Sequence, residues 1–336
     1  MDFDLTLTFA GIAALAVFMY VLMDGFDLGV GILFPFAPGG DGDRDTMMNT
    51  VAPIWDGNET WLILGAAALF AGFPLAYSVL LPALYLPVLL MLIALIFRGV
   101  AFEFRFKADS SKYLWTTSFF VGSVAATFSQ GIILGAFIQG FEVTGRDFTG
   151  SIWGWLSPFA LMVGVAMVFG YALLGSCWLI WKTTGPLQDW CYRLAPKLLL
   201  AVLLFVGIVS LWTPLTNLDV RARWFTWPNI LYLSPVPIIT LAVAGLQYRA
   251  VRLRREGTPF VLAMLLFLLA YGGLAISLWP YIIPPSITIW EAASPPESQI
   301  FLLVGLVILI PTILAYTAFT YWVFRGKVRP GEGYHH

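Results

Sequence analysis

Four carboxylates stand inside otherwise apolar runs of this 336-residue chain, in two short motifs: Asp24-Gly-Phe-Asp-Leu-Gly-Val-Gly31 and Trp55-Asp-Gly-Asn-Glu-Thr-Trp61. A charge at the centre of a membrane-spanning helix costs about 2.5–3.5 kcal/mol, so such residues suggest function. On helices, Asp24 and Asp27 share one face and Asp56 and Glu59 another. Crowded carboxylates cannot all stay charged cheaply: one holds a proton, or a cation compensates. Arg98 is the candidate cation, and Asn58 lies between the second pair. Side chains that take up and release protons make a relay. Plainer roles stand beside that one. Asp56 near a helix N-terminus offsets the helix dipole, and Asp27 or Glu59 can reach interfacial water. Trp55 and Trp61 suit an interfacial aromatic belt, and Arg98 an anchor on the inner side.

Membrane helices must position these groups. The chain is 60% hydrophobic with only 18 basic and 19 acidic residues, and Gly257 to Trp290 carries no charge. About 20 apolar residues cross a bilayer, so an all-α polytopic membrane protein is expected. Nine spans are predicted, at 5–34, 51–72, 76–102, 115–140, 153–182, 196–213, 229–249, 259–280 and 299–324. The N-terminus lacks the basic region of a cleavable signal, so the first span should remain. With the N-terminus outside, 15 of the 18 lysines and arginines fall on the inner side, leaving Arg146, Arg221 and Arg223 outside. That asymmetry places the C-terminus inside. Asp24 then lies about 29 Å along the first span, near its inner end. Asp56, Glu59 and Arg98 reach the same level from the second and third spans.

Short connections favour antiparallel bundles. Residues 1–145 would form one four-helix bundle with the acidic motifs, 146–282 a second, and 283–336 an outer loop, a ninth helix and an inner tail. Gly25/Gly29 and Gly131/Gly135 have the spacing that lets membrane helices approach closely, which ordinary packing explains. Cys177 at a span end and Cys191 in the loop beyond it face the reducing side and read as packing residues. His335 and His336 are the only histidines. The spans thus offer no imidazole for haem, copper or zinc, and the cysteines lack metal-site spacing. If the protein serves redox chemistry, a partner must carry the metals. A proton-coupled secondary transporter is the alternative, but such carriers place charge near the midplane of interrupted helices.

At these residues the chain resembles subunit II of the bacterial cytochrome bd-type quinol oxidases. The matching motifs are Asp24–Gly31, Ala52–Leu62, Phe97–Arg105, Gln139-Gly140 and Pro285-Ser-Ile-Thr-Ile-Trp-Glu-Ala-Ala-Ser294. They occur in order in both halves, so the resemblance covers nearly the whole chain. It implies nine transmembrane helices without haem, paired in a heterodimer with a haem-bearing subunit I in the bacterial cytoplasmic membrane. The partner would hold haem b, haem d and the quinol site. The complex would oxidise quinol and reduce dioxygen to water with cytoplasmic protons. A small single-helix accessory subunit and a lipid or structural quinone are further partners the family allows. By the same resemblance Asp56 leads the proton path, with Asp24, Asp27 and Glu59 beside it, supported by Trp55, Arg98 and Asn58. Two positions depart from the pattern: Ile54 stands where many relatives have histidine, and Glu291 replaces the commoner aspartate. The chain is short, as in the cyanide-insensitive branch.

Overall fold

Asp4 opens the first helix by accepting the amide of Leu7, as an N-cap should. From there the computed structural model, which describes residues 4–329, is almost entirely helical. The long helices are α1 (Leu5–Leu33), α3 (Trp55–Gly72), α4 (Pro74–Lys107), α5 (Lys112–Gln139), α6 (Pro158–Lys182), α7 (Gly185–Thr216), α10 (Pro235–Arg252), α11 (Thr258–Leu278) and α13 (Pro296–Val323). Short helices lie between them: α2 (Asp41–Val51), α8 (Leu218–Phe225), α9 (Asn229–Leu233) and α12 (Ile289–Ala292). Two small antiparallel hairpins complete the chain: β1 (Val143–Thr144) with β2 (Asp147–Phe148), and β3 (Tyr281–Ile283) with β4 (Ile287–Thr288).

Among the described residues, eight helices are long and apolar enough to cross a membrane. The exception among the long helices is α3, whose first turns carry Asp56, Asn58 and Glu59. The expected loop around Cys191 is instead part of α7, which starts at Gly185, well before the predicted 196, and contains Pro196. Both cysteines are buried and free. The predicted span 153–182 begins only at Pro158, where Ser157 caps the helix. The stretch predicted as 229–249 divides into α9 and α10 at Ser234 and Pro235. The polar helix α2 has no counterpart in the predicted spans, because its residues follow no apolar run.

Close backbone approach holds α1, α5 and α6 together. A Cβ on Gly29 would lie 1.9 Å from the Tyr171 carbonyl oxygen, and Gly175 faces Gly29 in the same crossing. Gly131 meets Gly164, and Gly135 meets Ala160, joining α5 to α6. Helix α3 runs antiparallel to α1 along its length: Asn58 bonds Asp27, Gly65 lies against Ala16 and Val17, and Gly72 against Phe9. The largest core cluster draws Phe26, Leu28, Phe119, Tyr171, Trp178, Cys191 and Phe260 into one body.

At the end distant from the acids, two of the sequence motifs meet. Gly140 ends α5 with φ +85°, and a Cβ there would lie 2.2 Å from the Pro284 carbonyl oxygen. Gln139 accepts from the Ser157 hydroxyl beside it. Glu291 forms a capping box with Thr288, accepting its amide and hydroxyl at 2.8 Å each.

Candidate functional site

Helices α1, α3 and α4 bring the predicted residues to one level. Asp24 and Asp27 project from α1, and both are fully buried. Arg98 from α4 is also fully buried, and its Nη1 donates to Asp24 Oδ1 at 3.0 Å. Its guanidinium carbon lies 5.6 Å from the centre of the Phe102 ring. Of the two expectations for Arg98, compensating cation and inner-side anchor, the structure gives the buried ion pair. Burying two charges is costly, and their attraction offsets that cost only with good geometry.

Asp27 takes a different partner. Asn58 Nδ2 donates to Asp27 Oδ2 at 2.7 Å and also approaches the Met23 carbonyl at 3.3 Å. Asn58 Oδ1 accepts the hydroxyl of Tyr321, on α13, at 2.9 Å. Asp24 and Asp27 thus share a level but diverge, one toward α4 and the other toward α3 and α13. Arg98 Nε and Nη2 and Asp27 Oδ1 find no hydrogen-bond partner among the described residues.

The second acidic motif grades from outside to inside. Asp56 is exposed on the surface of α3, Glu59 is half-buried and Asn58 is buried. Glu59 lies one turn beyond Asp56 and next to Asn58 on α3. Trp55 is only partly exposed and stacks on Phe102 at 5.0 Å with the rings 9° from parallel. Trp61 is buried beside Ala16 and Tyr20. For Trp61 the belt reading gives way to packing between α3 and α1. Ile54, where the resemblance leads one to look for histidine, is buried at the start of α3.

Sequence reasoning missed several polar residues. Tyr20 lies one turn before Asp24, and Gln130 Nε2 donates to its hydroxyl at 2.7 Å. Tyr171 donates to Gln130 Oε1 at 2.7 Å, continuing the chain into α6. A glutamine and two tyrosines isolated in apolar helices were the available signal, because buried polar groups require partners. A second ionic cluster also escaped notice. Fully buried Arg105 binds Asp45, lies 3.5 Å from Asp41, and donates to the Thr116 hydroxyl at 3.0 Å. A hydrogen bond from Arg44, with Lys112 and Arg105 nearby, holds the Asp41 carboxyl below its usual range.

Beside the acids, at the end of α6, α13 and the following strap, is a cavity of about 280 Å³ lined in part by Ile54, Trp178, Lys182 and Tyr321. Lys182 is buried; its Nζ donates to the carbonyls of Phe324 at 2.5 Å and Gly326 at 2.8 Å. Val328 returns an amide hydrogen bond to the Lys182 carbonyl at 2.8 Å. No group of three or more His, Cys, Asp or Glu suited to a metal occurs among the described residues. His335 and His336 lie outside those residues.

A buried ion pair and graded carboxylates on long apolar helices define a polytopic membrane protein with an acidic site inside its helix bundle. The sequence model for cytochrome bd terminal oxidase subunit II matches residues 5–324, and the chain belongs to that family. It is accordingly part of a quinol oxidase complex. The cytochrome bd-I ubiquinol oxidase subunit 2 of Escherichia coli K12 is 28% identical over 92% of this chain and 91% of its own length. The Bacillus subtilis cytochrome bd ubiquinol oxidase subunit 2 is 29% identical over 93% of this chain and 94% of its own. A chain in the structure of bd oxidase from Geobacillus thermodenitrificans has the same fold, with a TM-score of 0.78, 17% identity, and coverage of 95% and 98% of the two chains.

Proposed function

We propose that this subunit supports a haem-bearing subunit I and conducts protons from the cytoplasm toward it. The chain crosses the cytoplasmic membrane nine times, α3 included, with its N-terminus outside. The antiparallel run of α3 from Asp27 to Phe9 supports that ninth crossing. Residues 1–145 and 146–282 act as the two helix bundles, and 283–336 as the closing segment. The partner holds haem b, haem d and the quinol site; this chain supplies no histidine among its described residues for those groups. A single-helix accessory subunit and a lipid or structural quinone complete the proposed assembly.

The observation that carries the proton reading is the graded series from exposed Asp56 through half-buried Glu59 to buried Asp24 and Asp27. Asp56 takes up protons at the surface of α3, Glu59 passes them inward, and Arg98 offsets charge on the buried pair. Trp55 holds the start of α3 against Phe102, and Asn58 orients Asp27. Positioned proton-transfer groups contribute large rate factors, so Asp56→Asn should slow quinol-driven oxygen uptake by at least about tenfold with haem retained. Unchanged turnover with full haem content would assign the subunit a scaffold role alone.

A further inference from the structure

We propose that the cavity beside the C-terminal strap is a second water entrance to the buried acids, gated by Tyr321 and Asn58. The inference rests on the proton-conducting reading and adds a route distinct from the Asp56 face. Tyr321 lines the cavity. Its hydroxyl donates to Asn58 Oδ1 at 2.9 Å, and Asn58 Nδ2 donates to Asp27 Oδ2 at 2.7 Å. Two hydrogen bonds therefore separate an open cavity from a fully buried carboxylate.

The cavity has the size and chemistry for water. At about 30 Å³ per liquid water, its 280 Å³ accommodates several molecules. Its wall includes Asn49, Thr50 and Lys182 as polar groups, with Trp178 and Ile54 as apolar ones. The mouth is not strongly cationic: Lys182 is held by two carbonyls, and Lys327 pairs with Glu256 at 2.5 Å. Protons are thus not repelled by an uncompensated cluster of charge.

The side chains between cavity and acid dictate a gate rather than a wire. An amide neither gains nor loses a proton readily near neutral pH, so Asn58 is a poor relay. Turning its side chain away instead opens Asp27 Oδ2 to cavity water. Tyr321 sets the resting position, because donation to Asn58 Oδ1 keeps the amide nitrogen toward Asp27, and when the amide turns away the freed hydroxyl orders the entering water toward Asp27 Oδ2. Both residues are positioning residues. The proton that reaches Asp27 comes from cavity water and is replaced from the aqueous side, so only O–H bonds change.

Three variants of the purified holo-oxidase test this. Asn58→Cys should react with a small water-soluble thiosulfonate, while native Cys177 and Cys191, both buried, remain unmodified. Gly326→Trp, at a cavity-lining position with no atom within 4 Å of an added Cβ, should slow that reaction severalfold. Tyr321→Phe keeps the ring against Phe26 and Trp178 but loses one hydrogen bond. It should slow oxygen uptake roughly two- to tenfold, with a larger solvent deuterium isotope effect and unchanged haem content. Labelling indifferent to Gly326→Trp, or Tyr321→Phe with wild-type turnover and isotope effect, overturns the proposal. Asp56→Asn separates the two routes. Slow turnover in Asp56→Asn with normal turnover in Tyr321→Phe defeats the cavity and leaves the α3 route standing. The reverse pattern removes Asp56 from the path and leaves the cavity.

Discussion

Arg98 and Asp24, 74 positions apart in sequence, form a 3.0 Å ion pair from which water is almost wholly excluded. The pair ties α4 to α1 at the level of the acidic motifs. Removing one partner of such a pair strands the other and costs about 3–5 kcal/mol. Arg98→Met should therefore lower the melting temperature of the solubilised complex sharply. Combining it with Asp24→Asn should restore part of that loss, since position 24 then carries no stranded charge. Strictly additive losses in the double variant would show that the two groups are not energetically coupled.

Glycine at position 29 is demanded by the Tyr171 carbonyl, not by backbone conformation. A methyl group there must displace α6, and overpacking of this kind costs about 1–3 kcal/mol. Gly29→Ala should reduce assembly and thermal stability. Gly11→Ala in the same helix is the contrast, because an added Cβ has nothing within 4 Å. It should be neutral or slightly stabilising, as alanine is the better helix former by roughly 0.5–1 kcal/mol. Equal melting temperatures for the two variants would contradict the close crossing.

The apolar runs made most long helices legible, because length and hydropathy alone select them. They concealed α2, which is polar, and misplaced the start of α7, whose first turns carry Gln188, Asp189 and Arg193 and so fall outside the apolar run. At the site, the spacing of Asp24 and Asp27 indicated a shared face, and the depth of Arg98 indicated a shared level. Their different partners were invisible, since Asn58 and Tyr321 meet through packing of α3 against α13. Tyr20, Gln130 and Tyr171 come from three helices whose mutual rotation no periodicity in the chain specifies.

The capping box at Glu291 has a definite pH signature. The amide and hydroxyl of Thr288 hold the Glu291 carboxyl below its ordinary value of 4.5. A carboxylate lowered on folding adds stability that is complete above its unfolded value and lost as pH falls through the folded value. Melting of the complex should therefore become more acid-sensitive below about pH 4.5 in the wild type than in Glu291→Gln. Glutamine retains a capping geometry without titrating. The relevant measurement is the difference between the two melting curves across that interval; parallel curves would mean that the cap does not contribute.

Lys182 fastens the chain that follows α13 through two charge-assisted hydrogen bonds, to Phe324 and Gly326. Hydrogen bonds to charged groups contribute about 1.5–3 kcal/mol each, so losing both should raise strap opening by more than about tenfold. Lys182→Met removes the donors while keeping an unbranched side chain over Trp178. Trypsin should then cut after Arg325 and Lys327 much faster in the variant than in the wild-type complex. Lys107→Met, which disrupts only an exposed pair with Glu103, should leave those cleavage rates unchanged. Should the strap prove equally resistant with methionine at 182, the Lys327–Glu256 contact and the Val328 amide would be sufficient to hold it, and the buried ammonium would be dispensable for closure.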